Sequence, residues 1–231
     1  MRLITIDFET YYDKDYSLSK MTTEAYLRHE LFQPIGFSIK EGTEDAVWYA
    51  GDTDTLKQKL DQYELHEAAV IAHNAAFDCA ILDWHFNIRP KFIFDTLSMA
   101  RPLHALTVGG SLAKLVEHYG IGTKGVEVLN ALGKRREDFS FDELYAYGQY
   151  CINDVELTYK LFTALAKGFP RTELQIIDMM VRMFTEPVLS LGTETLEDHL
   201  TTVRQQKEKL MAMVEALSLI HISEPTRRYA I

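Results

Sequence analysis

Leu3-Ile4-Thr5-Ile6-Asp7-Phe8-Glu9-Thr10 is the stretch that decides the fold. Leu3 to Phe8 is short, rich in β-branched residues and followed by polar ones, so it reads as a strand. Strand side chains alternate, which puts Asp7 and Glu9 on one face at its end and Phe8 on the other. Further along, Pro34 to Ile39 and Ala46 to Tyr49 read as two more strands, joined around Glu41-Gly42-Thr43, and with the first they form a meander. Thr53 to Leu60 has helical spacing, with Asp52 or Thr53 as N-cap. Val70 to His73 is a short buried strand, Phe77 to Phe86 a helix and Phe92 to Phe94 another strand. Ser111 to Tyr119 is a helix ended by Gly120. Residues 120–140 are Gly-rich and then charged, a loop or broken helix. Asp142 to Lys167 is a long helical pattern closed by Gly168 and Pro170. A meander followed by alternating helix and strand predicts a three-layer α/β domain over residues 1–168. Thr172 to Phe184 and Thr193 to Ala216 are two further helical blocks, with the boundary placed at 168–172.

Composition narrows the class. The chain has 231 residues, 47% hydrophobic and 25% charged, which is ordinary globular usage and speaks against a disordered or fibrous chain. No run of eighteen apolar residues suggests a membrane helix. With 24 Lys plus Arg against 34 Asp plus Glu, the formal charge is −10. A free-standing duplex-binding module is normally basic, so any phosphate chemistry here needs cations from elsewhere, such as bound metals or a neighbouring domain. Cys79 and Cys151 lie far apart, which excludes a disulfide framework and a zinc site built on Cys pairs. Met1 to Thr10 lacks the basic start, apolar stretch and cleavage site of a signal peptide, so a reducing, cytoplasmic setting is expected.

Three groups of residues carry chemistry, and each alone has an ordinary explanation. Asp7 and Glu9 side by side at a buried strand end are unfavourable unless a cation sits between them, yet a solvated strand end would also serve. The same spacing at Asp154 and Glu156 falls on a helix and splays the side chains apart. His73-Asn74-Ala75-Ala76-Phe77-Asp78 follows a strand and opens a helix, where Asn and Asp are common for capping and dipole reasons. Tyr150 and Asp154 lie four apart inside the long helix and project from one face. Such a pair is usually a surface pair, but Ile152, Val155 and Leu161 mark this helix as packed.

The joint order of strand D-x-E, turn-helix N-x-x-x-D and helix Y-x-x-x-D closely resembles the tyrosine-bearing branch of the DEDD superfamily of 3′–5′ exonucleases. Phe94-Asp95-Thr96 and Ser111-Leu112-Ala113-Lys114-Leu115 add to the likeness. Two stretches, Tyr16 to Tyr26 and Met183 to Leu189, are similar to the exonuclease part of phage-type family A DNA polymerases, the second leading there towards the polymerase domain. The resemblance implies a ribonuclease H-like fold: a five-stranded mixed sheet flanked by helices, followed by C-terminal helices from the start of a polymerase region.

It also implies roles. Asp7, Glu9, Asp78 and Asp154 would hold two divalent metals, Mg²⁺ or Mn²⁺, as hard oxygen ligands. Four carboxylates carry about −4 and two divalent ions about +4, so the cluster is nearly neutral before a phosphate enters. Asp7 would bridge the metals, and Tyr150 would orient the attacking water. Asn74, with Thr10 and Tyr11 by backbone and stacking, would hold the terminal nucleotide. Leu18 and Met21 would wedge beside the terminal base or simply pack. Single-stranded or frayed 3′ DNA ends would be the substrate, in the cytoplasm of a bacterial or phage-infected host, with a polymerase domain of the same parent chain as partner. Lys134-Arg135-Arg136 reads as a solvated basic loop, with contact to the phosphate backbone as the alternative, and His73, His85 and His104 read as structural.

Two other readings stay open: a stand-alone exoribonuclease similar to ribonuclease D, using the same carboxylates, and an inactive nucleic-acid-binding scaffold, which would not need four acids and a tyrosine. The Met183 to Leu189 segment favours the polymerase context. Residues 169–216 are expected to begin the polymerase region. Leu217 to Arg227, LSLIHISEPTR, resembles a translated sequencing adapter, so residues 217–231 are set aside and native sequence is expected to continue past Ala216.

Overall fold

The computed structural model describes residues 1–125 and 131–217. Its centre is a five-stranded mixed sheet. The strands are β1 (Arg2–Thr10), β2 (Pro34–Glu41), β3 (Val47–Ala50), β4 (Ala68–Ala72) and β5 (Phe92–Asp95). They lie in the order β3-β2-β1-β4-β5. β1 and β2 are antiparallel, as are β2 and β3, so the expected meander is present; Gly42 supplies the left-handed turn between them at φ 52°. β4 joins β1 in parallel and β5 joins β4 in parallel, each reached through a helical crossover.

Alternation along β1 sorts its two faces. Ile4, Ile6 and Phe8 point into a layer built with α2 (Thr53–Asp61) and α3 (Ala75–Phe86), where Leu56, Leu60, Ile81 and Phe86 are buried. The opposite sheet face carries α4 (Thr96–His104), α5 (Leu112–Tyr119) and α6 (Phe141–Leu165), with Ile71, Met99, Leu115, Leu157 and Leu161 buried between them. Asp7 and Glu9 therefore look towards α6. Asp52 caps α2 and Ser111 caps α5, each accepting a backbone N–H two to three residues inside the helix, and Gly120 closes α5 in the left-handed conformation. The sequence reading passes over the five-residue helix α1 (Thr23–Leu27), too short to show periodicity. It also leaves α4 undelimited, because Pro102 lies inside that helix. The 120–140 stretch is loop where described, with one short turn at Arg136–Asp138; residues 126–130 lie outside the described ones.

α7 (Arg171–Thr185) packs on α3 and on the edge strand β5. Asp178 accepts the Ile93 N–H at 2.8 Å, Trp84 Nε1 donates to the Thr185 carbonyl at 2.7 Å, and Arg182 donates to the Pro90 carbonyl at 2.7 Å. The compact unit consequently runs Met1–Pro187, and the boundary expected at 168–172 falls inside it. The second unit begins at Val188 and holds one described helix, α8 (Thr193–Leu217), with exposed Leu196, Leu200, Leu210 and Met211. No helix among the described residues is long and apolar enough to cross a membrane.

Candidate active site

β1 pairs Asp7 with Ser38 and Glu9 with Gly36 of β2, which fixes both carboxylates on the α6 side. Glu9 is held from above: Tyr147 of α6 donates its hydroxyl to Glu9 Oε2 at 2.6 Å. Asp7 is held from below: the Cys151 thiol donates to the Asp7 carbonyl at 3.4 Å and to its Oδ2 at 3.6 Å. Burial pushes the Cys151 thiol well up, so it stays protonated and acts as a donor. Asp78 sits in the first turn of α3, 2% exposed, and accepts the Phe8 N–H at 3.1 Å. Asp154 stands one helical turn past Tyr150 on α6, 5% exposed.

The structure brings these four acids into one electrostatic unit. Burial, and then the Asp154 charge, pushes the Asp7 carboxyl up to about 7. Burial and the Asp7 charge push Glu9 up to about 8. Asp78 is raised well above the ordinary range by burial and by Asp7, and Asp154 is raised by burial. Tyr150 is pushed up to about 12, by burial first, with the Asp154 and Glu9 charges adding to it. Ligand atoms of Asp7, Glu9 and Cys151 lie within 4.8 Å of one another, a group that Asp78 and Asp154 do not join, so those two are linked to it through charge alone. Asp154 Oδ1 is buried with no hydrogen-bond partner, an acceptor left open. Carboxylate oxygens that repel one another and leave an acceptor free suit a hard divalent cation.

Asn74 does not cap α3 through its side chain. Asp95 does that work: its Oδ1 accepts the N–H groups of Asn74 and Ala75, at 2.9 and 3.1 Å, while it also caps α4 through Leu97 and Ser98. Asn74 takes the left-handed conformation, φ 73°, and its carboxamide is left exposed. Thr10 is buried, its hydroxyl 2.7 Å from that of Tyr26, and it lines a cavity of about 370 Å³ beside Glu9 with Tyr12, Leu18 and Phe77.

Tyr11 departs from its expected role. Its ring is buried between Tyr16 and the Arg135 guanidinium, its hydroxyl is bonded to Asp13, and it cannot stack on a nucleotide as expected. The β1–β2 register shifts between Glu9 and Thr10, which ends the alternation that would have kept Tyr11 on the acid face. Leu18 reaches the cavity, whereas Met21 packs against the core. Arg135 covers Tyr11 and Lys134 pairs with Glu143 at 2.5 Å, so the basic loop is pinned to the domain. His73, His85 and His104 bond the Gly110 carbonyl, the Leu27 carbonyl and the Tyr119 hydroxyl, which is a structural use.

Sequence reasoning missed Tyr147, Cys151 and Lys124. Tyr147, Tyr150, Cys151 and Asp154 form an i, i+3, i+4, i+7 stripe, so the first two omissions were readable as one helical face. Lys124, whose Nζ lies 2.7 Å from Asp154 Oδ2, sits in a loop where no periodicity applies.

A mixed sheet with an antiparallel meander, opened by a strand bearing two acids and faced by two helices bearing two more, defines the ribonuclease H-like exonuclease class. Residues 18–169 match the family described as 3′–5′ exonuclease, and the chain belongs to that family. Among solved structures, Brucella melitensis NrnC is similar at a TM-score of 0.59 and 15% identity, over 80% of this chain and 83% of that one. The same protein with bound Mg²⁺ gives 0.54 and 15% over the same shares. Trypanosoma brucei RNase D in complex with RNA U12 gives 0.59 and 13%, over 82% of this chain and 66% of that one. At these identities the likeness speaks to the fold. No curated protein sequence matches the chain.

Proposed function

We propose that this 3′–5′ exonuclease hydrolyses DNA from its 3′ end as the proofreading domain of a family A polymerase, with two divalent ions held by Asp7, Glu9, Asp78 and Asp154. The observation that carries the site assignment is the open acceptor Asp154 Oδ1 near carboxylates pushed up by burial and then by their mutual charge. Ions held by these carboxylates would supply Lewis acidity for activating water and for stabilising the leaving 3′ oxygen. The chain supplies the rest. Tyr147 fixes the Glu9 rotamer, and Cys151 fixes Asp7. Tyr150, with its hydroxyl pushed up to about 12, keeps its proton at neutral pH and orients water by hydrogen bonding instead of acting as a base. The cavity beside Thr10 and Leu18 receives the terminal base, and the exposed Asn74 carboxamide contacts its sugar or phosphate. The polymerase context rests on the likeness of Tyr16 to Tyr26 and Met183 to Leu189.

A ribonuclease D-like activity on RNA ends is the second reading, favoured by the RNA-bound RNase D among the structural neighbours. One assay separates the two. Matched 5′-labelled single-stranded DNA and RNA oligonucleotides are incubated with Mg²⁺ and either wild type or Asp7→Ala. Stepwise 3′ shortening of DNA, releasing 5′-monophosphates and lost in Asp7→Ala, is expected. Faster shortening of RNA would replace the first reading with the second, and undiminished activity in Asp7→Ala would overturn the site.

A further inference from the structure

Lys124 is the one cation paired with any of the four carboxylates among the described residues. Its ammonium lies 2.7 Å from Asp154 Oδ2 and 5.2 Å from the centroid of the Tyr150 ring. The loop that carries it is fastened at its start to α5 and further on to α6. Ile121 N–H bonds the Val116 carbonyl at 3.0 Å, and Asn153 Nδ2 donates to the Thr123 carbonyl at 3.4 Å. Gly122, at φ 153°, lies so close to Leu157 that a Cβ there would come within 2.6 Å of Leu157 Cδ2. The backbone is therefore anchored beside the site while the four-carbon stem keeps its freedom to move the ammonium.

Charge decides what that freedom is for. With Lys124 on Oδ2 and a divalent ion on the open Oδ1, the two cations would stand within a few ångströms and repel strongly, so an ion entering at Asp154 weakens the Lys124 pairing. Four carboxylates at about −4 and two divalent ions at about +4 cancel, which leaves the Lys124 charge unmatched until something brings one negative charge. A phosphodiester at a 3′ end brings that charge to this spot.

We propose that Lys124 is a substrate-binding residue that exchanges partners, balancing Asp154 in the metal-free protein and passing to a phosphate oxygen of the 3′-terminal nucleotide when divalent ions take Asp154. This rests on the metal-site assignment made above. The test uses two affinities that a merely structural lysine would not move in opposite directions. Mn²⁺ binding to the metal-stripped full chain is measured by titration calorimetry in wild type, Lys124→Met, Lys124→Arg and Asp7→Asn. Binding of deoxythymidine 5′-monophosphate, which cannot be cleaved further, is then measured at saturating Mn²⁺. Lys124→Met is expected to bind Mn²⁺ about tenfold tighter and the nucleotide about tenfold more weakly, with Lys124→Arg near wild type in both. Unchanged or weaker Mn²⁺ binding, or unchanged nucleotide binding, in Lys124→Met overturns the exchange. If Asp7→Asn binds Mn²⁺ like wild type, the metal-site assignment itself falls; if Asp7→Asn loses Mn²⁺ while Lys124→Met changes nothing, only the role of Lys124 falls.

Discussion

At the scale of single residues, the acids that make the cleft also weaken the metal-free fold. The Asp7 and Glu9 carboxyls, at about 7 and about 8, lie well above the ordinary range near 4, because burial and mutual charge disfavour ionisation. The folded protein then binds protons more tightly than the unfolded chain. The stability these two groups contribute is fully present below about pH 4 and is lost as pH rises towards about 8. In EDTA the melting temperature is expected to fall between pH 5 and pH 8, and Asp7→Asn to flatten that fall while abolishing nuclease activity. Added Mg²⁺ should restore the melting temperature at pH 8 in wild type only. A melting temperature independent of pH would contradict the burial of these charges. The pairing of Tyr147 with Glu9 spans 138 residues and could not be read from local spacing, whereas Asp7 and Glu9 were legible from the two-residue period of one strand.

At the scale of elements, α6 has to lie close to the sheet for Tyr147, Cys151 and Asp154 to reach β1. Gly148 makes that approach possible: a Cβ there would come within 2.4 Å of the Trp48 ring on β3. Gly148→Ala is expected to lose about 1–3 kcal/mol in urea unfolding and to lower activity by lifting Tyr147 from Glu9. A stability within error of wild type would show that Trp48 can turn aside. The buried Lys40 holds α6 from another side, pairing with Glu156 at 2.8 Å. That pair explains why the D-x-E spacing at Asp154 and Glu156 is not a second acid cluster: the helix sends one carboxylate to the site and the other to the sheet. The long helices and the sheet strands were readable because their periods repeat. Asp95 was harder, since its caps join two elements and depend on where β5 ends relative to α3.

At the scale of the whole molecule, the unit that carries the site closes at Pro187. Punctuation by Gly168 and Pro170 marks the end of α6, but it says nothing about where the next helix packs. Asp178 satisfies an N–H of the edge strand β5, and Val181 and Ile177 join the two core layers. A chain ended at Pro187 is expected to melt cooperatively and keep 3′ trimming activity, while one ended at Gly168 should be largely unfolded or aggregated, with β5 exposed. Equal melting of the two would show that α7 is dispensable.

The two faces of β1 have a consequence for how the chain finds its register. Ile4, Ile6 and Phe8 face one layer, and Thr5, Asp7 and Glu9 the other. A slip of one residue against β2 or β4 would drive both carboxylates into the aliphatic layer and turn the aliphatic residues out towards water. Every mispaired sheet is thereby penalised at its central strand, so the residues placed for hydrolysis also proofread the folding of the domain that bears them.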